Sequence, residues 1–280
     1  NGVWAAEPFI PAGSPQYLLS WPGIMMSDMD GDGLADLFVK NDTSFGYFKS
    51  RGSMKWEEAD WVSCSPNPGF TFEDAGVRLL DVNNDKRIDV VKDTGSAYQI
   101  WLNQKNNQWS SSFDAETHLP DNSHLPFTAN YTKIGDMNGD RIEDLVFVVN
   151  GYVAYFPGRG NGEFDSETPM SNSPVAGDQT DELLITDINN DGLGDIVLIG
   201  NTFIKVWFNV GNDSFKTPVT FENLPQFMKG TSGYRFADVN GDGFRDLLIN
   251  DESSNDRYQY VDFNNGVHPN ILTKISNGLG

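Results

Sequence analysis

Cysteine, histidine and positive charge are scarce in this chain, and each scarcity excludes something. Cys64 is the only cysteine, so no intrachain disulfide can form, and it has no neighbour in sequence that would make it a reactive thiol. The three histidines form no zinc-binding motif; His118 and His124 lie in a polar stretch and are expected to face solvent. No nucleophile elbow and no phosphate-binding loop occurs, so we expect no enzyme and no catalytic residues. Nineteen Lys and Arg stand against forty Asp and Glu, a formal charge of −21. Phosphate binding needs a basic patch, which argues against nucleic acid as a partner. No apolar run approaches the ~20 residues of a membrane-spanning helix, so membrane insertion by this segment is not expected. No signal peptide is recognisable and the chain starts at Asn1, which leads us to expect a processed product or a segment excised from a longer chain.

What the chain has in quantity is one motif. Asp28-Met29-Asp30-Gly31-Asp32-Gly33-Leu34-Ala35-Asp36-Leu37 returns as close copies at 81–90, 136–145, 187–196 and 238–247, in steps of 53, 55, 51 and 51 residues. A period near that value in a β-rich chain points to propeller blades or a solenoid. With hydrophobic residues at 38% and aromatics at 12% there is enough apolar material for a packed core, so we read residues 1–280 as one β-rich domain.

The motif places side-chain oxygens at offsets zero, two, four and eight. These are Asp28, Asp30, Asp32 and Asp36; Asp81, Asn83, Asp85 and Asp89; Asp136, Asn138, Asp140 and Asp144; Asp187, Asn189, Asp191 and Asp195; and Asp238, Asn240, Asp242 and Asp246. A tight loop gathers such oxygens around one point, and a hard cation with six to eight oxygen ligands suits them; Ca²⁺ tolerates the irregular, carboxylate-rich shell better than Mg²⁺. The backbone carbonyl at offset six (Leu34, Arg87, Ile142, Leu193, Phe244) is expected to add one more oxygen. An Asp/Asn/Gly turn without metal is the plainer explanation of any single copy; five copies with one set of offsets favour the cation. Up to five Ca²⁺ would bring the charge from −21 to about −11, and their removal would leave repelling carboxylates. The fold should therefore be chelator-sensitive, and Asp28→Ala or Asp32→Ala should lower the melting temperature in Ca²⁺ while leaving the chelated protein almost unchanged.

An EF-hand is excluded, because its loop needs a bidentate Glu at position twelve between two helices and that position holds Val39, Lys92, Phe147, Leu198 and Ile249. The copies also differ among themselves. The first has four carboxylates and two glycines and is expected to bind best. The second has Lys86 and Arg87, and the third Arg141, where other copies have glycine or an apolar residue; a cation beside the site and a side chain at a positive φ both weaken it.

Each loop is followed by a short β-branched run and then by an aromatic-rich strand: Phe45 to Phe48, Tyr98 to Leu102, Tyr152 to Phe156, Phe203 to Phe208 and Tyr258 to Val261. A turn then leads to a polar strand, expected at Gly160–Phe164 and Gly211–Phe215. Each unit thus reads as four antiparallel strands with the cation loop between the first and second, an all-β propeller of about five blades. Trp101 and Trp207 are expected in the core between blades. Residues 3–10 are expected to pair with the fifth unit.

These loops resemble the FG-GAP and VCBS repeats of integrin-like propellers, along nearly the whole chain. The tail from Pro269 to Gly280 is similar to the "LLTKIDNGLG" segment at which the B component of insecticidal toxin complexes, and related SpvB-like and Rhs-associated proteins, leaves its propeller. Tyr155 to Phe164 is also similar to blade sequence of that family. The resemblance implies a non-catalytic docking or gate module of a secreted or released bacterial toxin, extracellular where it acts. Its partner would be a pore-forming A component or the parent toxin chain. A stand-alone secreted lectin-like propeller that binds a glycan is the alternative, since many binding proteins share this scaffold.

Overall fold

The computed structural model describes residues 15–52, 61–104, 108–110, 119–120, 123–176, 183–200, 203–222, 224, 234–250 and 258–263. Two compact units are distinguished: Asn1–Thr132 with Ile142–Leu145 and Phe156–Glu167, and Lys133–Arg141 with Val146–Tyr155 and Thr168–Gly280. The fold is an all-β propeller of five blades, and no helix occurs among the described residues.

The first blade is the antiparallel sheet of β1 (Ile24–Ser27), β2 (Asp36–Lys40), β3 (Phe45–Phe48) and β4 (Trp61–Ser63). The second has β5 (Val77–Leu80), β6 (Asp89–Asp93) and β7 (Tyr98–Trp101), extended after Leu102 by the hairpin of β8 (Asn103–Gln104) and β9 (Gln108–Trp109). The third runs β10 (Thr132–Gly135), β11 (Asp144–Val149), β12 (Tyr152–Phe156) and β13 (Thr168–Met170). In the fourth come β14 (Leu183–Thr186), β15 (Asp195–Ile199), β16 (Ile204–Trp207) and β17 (Val219–Phe221). The fifth shows β18 (Tyr234–Ala237), β19 (Asp246–Asn250) and β20 (Tyr258–Val261). The acidic motif joins the first and second strands of every blade. Residues 3–10 and 264–280, where ring closure and a last strand were expected, lie outside the described residues.

The central residues of the second strands are apolar because both faces of these strands are covered. Successive side chains of a strand point to opposite faces. Ile196 and Leu198 of β15 enter one cluster with Val146, Val148, Tyr155 and Trp207, whereas Val197 and Ile199 enter another with Ile204, Val206, Leu247 and Ile249. In the first blade Phe38 faces a cluster with Phe45, Phe70, Trp101 and Trp109, and Leu37 and Val39 face Ile24 and Phe48. Trp101 and Trp207 are buried as expected, and Phe38 stacks on Trp109 at 6.2 Å between ring centres.

The aromatic stripe does not hold in the fifth blade, where Tyr258 and Tyr260 of β20 are exposed. The polar strands expected at Gly160–Phe164 and Gly211–Phe215 are instead turns closed by single bridges, Gly158 to Phe164 and Asn209 to Phe215. Gly160, Gly162, Asn212 and Asp213 have positive φ, a left-handed backbone that bends the chain and cannot continue a strand. The fourth strands follow them, at β13 and β17. His124 does not face solvent: its Nε2 pairs with Asp93 Oδ1 at 2.9 Å and its ring lies 5.1 Å from that of Tyr98. Cys64 is buried, and burial pushes its thiol up to about 11, which keeps it protonated and unreactive at neutral pH.

Candidate metal centre

The offset-zero aspartate organises each loop by accepting amides from its own turn. Asp28 takes Gly31 N at 2.8 Å and Asp32 N at 3.2 Å on Oδ1, and Gly33 N at 2.8 Å on Oδ2. Asp238 repeats all three bonds with Gly241, Asp242 and Gly243. Asp81 accepts from Asp85 and Lys86, Asp136 from Gly139 and Arg141, and Asp187 from Asp191 and Gly192. Short polar side chains favour such local bonds to the backbone. Since Asp28 caps three amides, Asp28→Ala should destabilise the chelated protein too, which differs from the expectation drawn from the motif alone.

This curl demands a left-handed residue at offset five, where φ is +86° at Gly33, +87° at Gly192 and +90° at Gly243 but also +73° at Lys86 and +71° at Arg141. Nothing lies within 4 Å of a Cβ built on these three glycines. Conformation, not space, makes glycine the better residue there.

Offsets two and four are held together. In four loops the offset-two carboxamide donates to Oδ2 of the offset-four aspartate: Asn83 to Asp85 at 3.1 Å, Asn138 to Asp140 at 3.0 Å, Asn189 to Asp191 at 2.9 Å and Asn240 to Asp242 at 3.0 Å. In the first loop Asp30 replaces the asparagine, and the Lys49 ammonium pairs with Asp30 and, at 3.1 Å, with Asp32 Oδ2. The outer oxygen at offset four thus meets a positively polarised donor in every loop, the environment that a cation would supply. Offset-six amides of Leu34, Arg87, Leu193 and Phe244 donate to the other oxygen of the same aspartate.

The offset-eight aspartate is fully buried in every loop. One oxygen accepts the amide at offset one, as Asp36 does from Met29 at 2.9 Å, Asp89 from Val82 at 3.1 Å, Asp195 from Ile188 at 3.0 Å and Asp246 from Val239 at 2.9 Å. In the first four loops the other accepts the amide fourteen residues on: Ser50 at 2.7 Å, Asn103 at 2.7 Å, Gly158 at 2.9 Å and Asn209 at 2.9 Å. This carboxylate staples the loop to the end of the third strand, a role that the motif spacing did not reveal. Burial, opposed by these amides, raises the carboxyls of Asp36 to about 6 and of Asp89 and Asp195 to about 7; Asp246 is also raised, by burial first and then by neighbouring acids.

Among the described residues, oxygens of Asp28, Asp30 and Asp36 form a carboxylate trio within 4.8 Å of one another. With this trio, and with the paired offsets two and four elsewhere, the residues fit a hard divalent cation. The fit is least good in the second loop, where the Arg87 guanidinium already pairs with Asp85.

Neighbouring loops touch. Within the first unit a Cβ on Gly31 would lie 3.1 Å from the Lys86 carbonyl, and Asn103 Nδ2 donates to the Met29 carbonyl at 2.6 Å. Within the second unit Asn209 Nδ2 donates to the Met137 carbonyl at 2.8 Å, and Asn190 Nδ2 to the Gly243 carbonyl at 3.3 Å. Asn103 and Asn209 were missed from sequence; both stand two residues after a buried tryptophan, and that repeated spacing is the signal that could have found them.

The FG-GAP-like repeat model matches residues 28–92, 136–193 and 187–249, more than half of the chain and in register with the loops just described. The chain belongs to the FG-GAP-like repeat family. No curated protein matches it. Similar solved structures include an Agrocybe aegerita lectin that recognises non-reducing terminal N-acetylglucosamine, at 15% identity and a TM-score of 0.48, covering 80% of this chain and 73% of that one. The toxin-complex component TcdB2–TccC3 matches at 16% identity and a TM-score of 0.46, covering 88% of this chain but only 14% of its own. BBS1N in complex with ARL6DN matches at 12% identity and a TM-score of 0.35, covering 85% and 78%.

Proposed function

We propose that this FG-GAP propeller is a non-catalytic calcium-binding module that presents a rigid surface to a protein partner, as the docking or gate propeller of a bacterial toxin-complex B component does. The observation that carries the reading is the latch from Asn103 to the Met29 carbonyl, repeated from Asn209 to the Met137 carbonyl. Met29 and Met137 directly follow the first ligand of their loops, so a cation that fixes the loop also fixes the blade next to it. Ca²⁺ in up to five loops would then stiffen contacts between blades, with the offset-six carbonyls completing the shell. Outside the cell, millimolar Ca²⁺ keeps even weak loops of this kind filled, which agrees with a secreted or released protein. The pore-forming A component or the rest of a parent toxin chain is the partner that the sequence resemblance implies.

Calcium titration into chelated protein tests the first half: heat of binding and a rise in melting temperature are expected, and Asp191→Asn or Asp242→Asn, which keep the acceptor for the offset-six amide and lose the charge, should weaken both. Co-precipitation with a pore-forming A component, with and without chelator, tests the second half. No uptake of Ca²⁺ would sink the metal reading, and Ca²⁺ uptake without any association would sink the docking one.

A glycan is the second reading, favoured by one cavity of about 430 Å³ in the first unit, lined by Tyr17, Thr43, Ser44, Phe48, Trp61 and Asn67 among others. Aromatic faces beside hydroxyl and carboxamide groups suit the apolar face and polar rim of a sugar ring. Binding on a glycan array that free sugar competes away would establish it.

A further inference from the structure

The position just past the end of the third strand distinguishes the loops in a way that their own ligands do not. Leu37 faces Phe48 across the β2–β3 ladder, which places Lys49 opposite the buried Asp36. Extended by one residue past the end of each ladder, the same register sets Leu102 opposite Asp89, Phe208 opposite Asp195 and Asp262 opposite Asp246. The position therefore carries a positive charge in the first blade, no charge in the second and fourth, and a negative charge in the fifth. Lys49 already pairs with Asp30 and Asp32, so a metal ion there must displace a tethered cation. Asp262 does the opposite, adding its charge to those of Asp242 and Asp246.

A second, independent observation points to a ligand in the fifth loop. Asp246 is fully buried, and its Oδ1 has no hydrogen-bond partner, whereas the equivalent oxygen accepts an amide in the other four blades. A buried, unsatisfied carboxylate oxygen beside further carboxylates is costly unless a cation completes it. We propose that Asp262 is a further cation-holding residue of the fifth loop and that Lys49 is a built-in competitor in the first, so that the fifth loop binds Ca²⁺ more tightly than the first. This reverses the order given by counting carboxylates within the motif, and it rests on the calcium reading above.

The test is calorimetric titration of Ca²⁺ into the full decalcified chain, with melting curves in chelator as the control for folding. Asp262→Lys should weaken the tightest class of sites on the order of tenfold or more, and Asp238→Asn should weaken that same class. Lys49→Leu should tighten one weak site on the order of tenfold, because the ion pair it removes is partly exposed and screened, and should leave the tightest class alone. If Asp262→Lys fails to fold, Asp262→Asn and Lys49→Leu still decide the matter. Should the unaltered protein take up no Ca²⁺, the calcium reading and this inference fall together. Should it take up Ca²⁺ with the same isotherm in the Asp262 and Lys49 variants, only the tuning falls.

Discussion

The loops at Asp187 and Asp81 follow one pattern and differ in what has been added to it. Both hold the offset-zero aspartate on backbone amides, both pair the offset-two carboxamide with the offset-four carboxylate, and both bury the offset-eight aspartate between two amides. At Asp187 a glycine takes the left-handed position, and among the described residues no basic side chain pairs with the loop. At Asp81 Lys86 takes that position at a φ of +73°, and Arg87 pairs with Asp85. The frame of the loop thus does not depend on which charge meets the offset-four aspartate: the staple and the curl persist where a guanidinium pairs with it.

That separation can be broken most sharply at the staple. Asp195→Ala should cost about 2–5 kcal/mol with or without Ca²⁺, because it leaves the buried amides of Ile188 and Asn209 unsatisfied; equal melting temperatures for the variant and the parent would refute the staple. Chelation comes next. A site filled at a hundred times its dissociation constant contributes about 2.7 kcal/mol, so removing Ca²⁺ should lower the melting temperature by several degrees for each occupied loop, and Asp191→Asn should shrink that drop where Asp85→Asn barely changes it. A smaller gain is expected from Arg87→Leu with Lys86→Gly, which should raise Ca²⁺ affinity in the second loop and relieve up to about 1 kcal/mol of left-handed strain, read by titration calorimetry.

The weakest expected effect is on pH dependence in chelator. Asp36, Asp89 and Asp195 have folded carboxyls at about 6, 7 and 7, above the usual carboxylate value, so the folded metal-free chain binds protons more strongly than the unfolded one. Its stability should be greatest in acid and decline as pH rises through 6 to 7. Bound Ca²⁺ favours the ionised carboxylates and should flatten or invert that trend. Melting curves from pH 5 to 8, with chelator and with Ca²⁺, compare the two; a chelated protein that gains stability over this range would contradict the burial of these carboxyls.

Blade number, strand order and the place of the acidic loops were legible in the chain because they depend on local patterns. Steps of 51 to 55 residues mark the repeats, β-branched runs mark strands, and Asp, Asn and Gly mark the curl between them. The fourth strands at Thr168–Met170 and Val219–Phe221 were placed too early, because Gly160–Phe164 and Gly211–Phe215 have strand-like ends around left-handed turns.

The sequence alone determined which oxygens each loop can offer, since their offsets are short enough for the backbone to gather them without help. Only tertiary structure decided what else reaches that point. Lys49 and Asp262 arrive from just past the end of the third strand, and the latching Asn103 and Asn209 from the following blade, 74 and 72 residues from the carbonyls that they hold. Whether a carboxylate cluster faces a lysine, a leucine or another aspartate is a matter of β-ladder register, and register is fixed by the packing of two-sided strands such as Ile196 to Ile199 between neighbouring hydrophobic clusters.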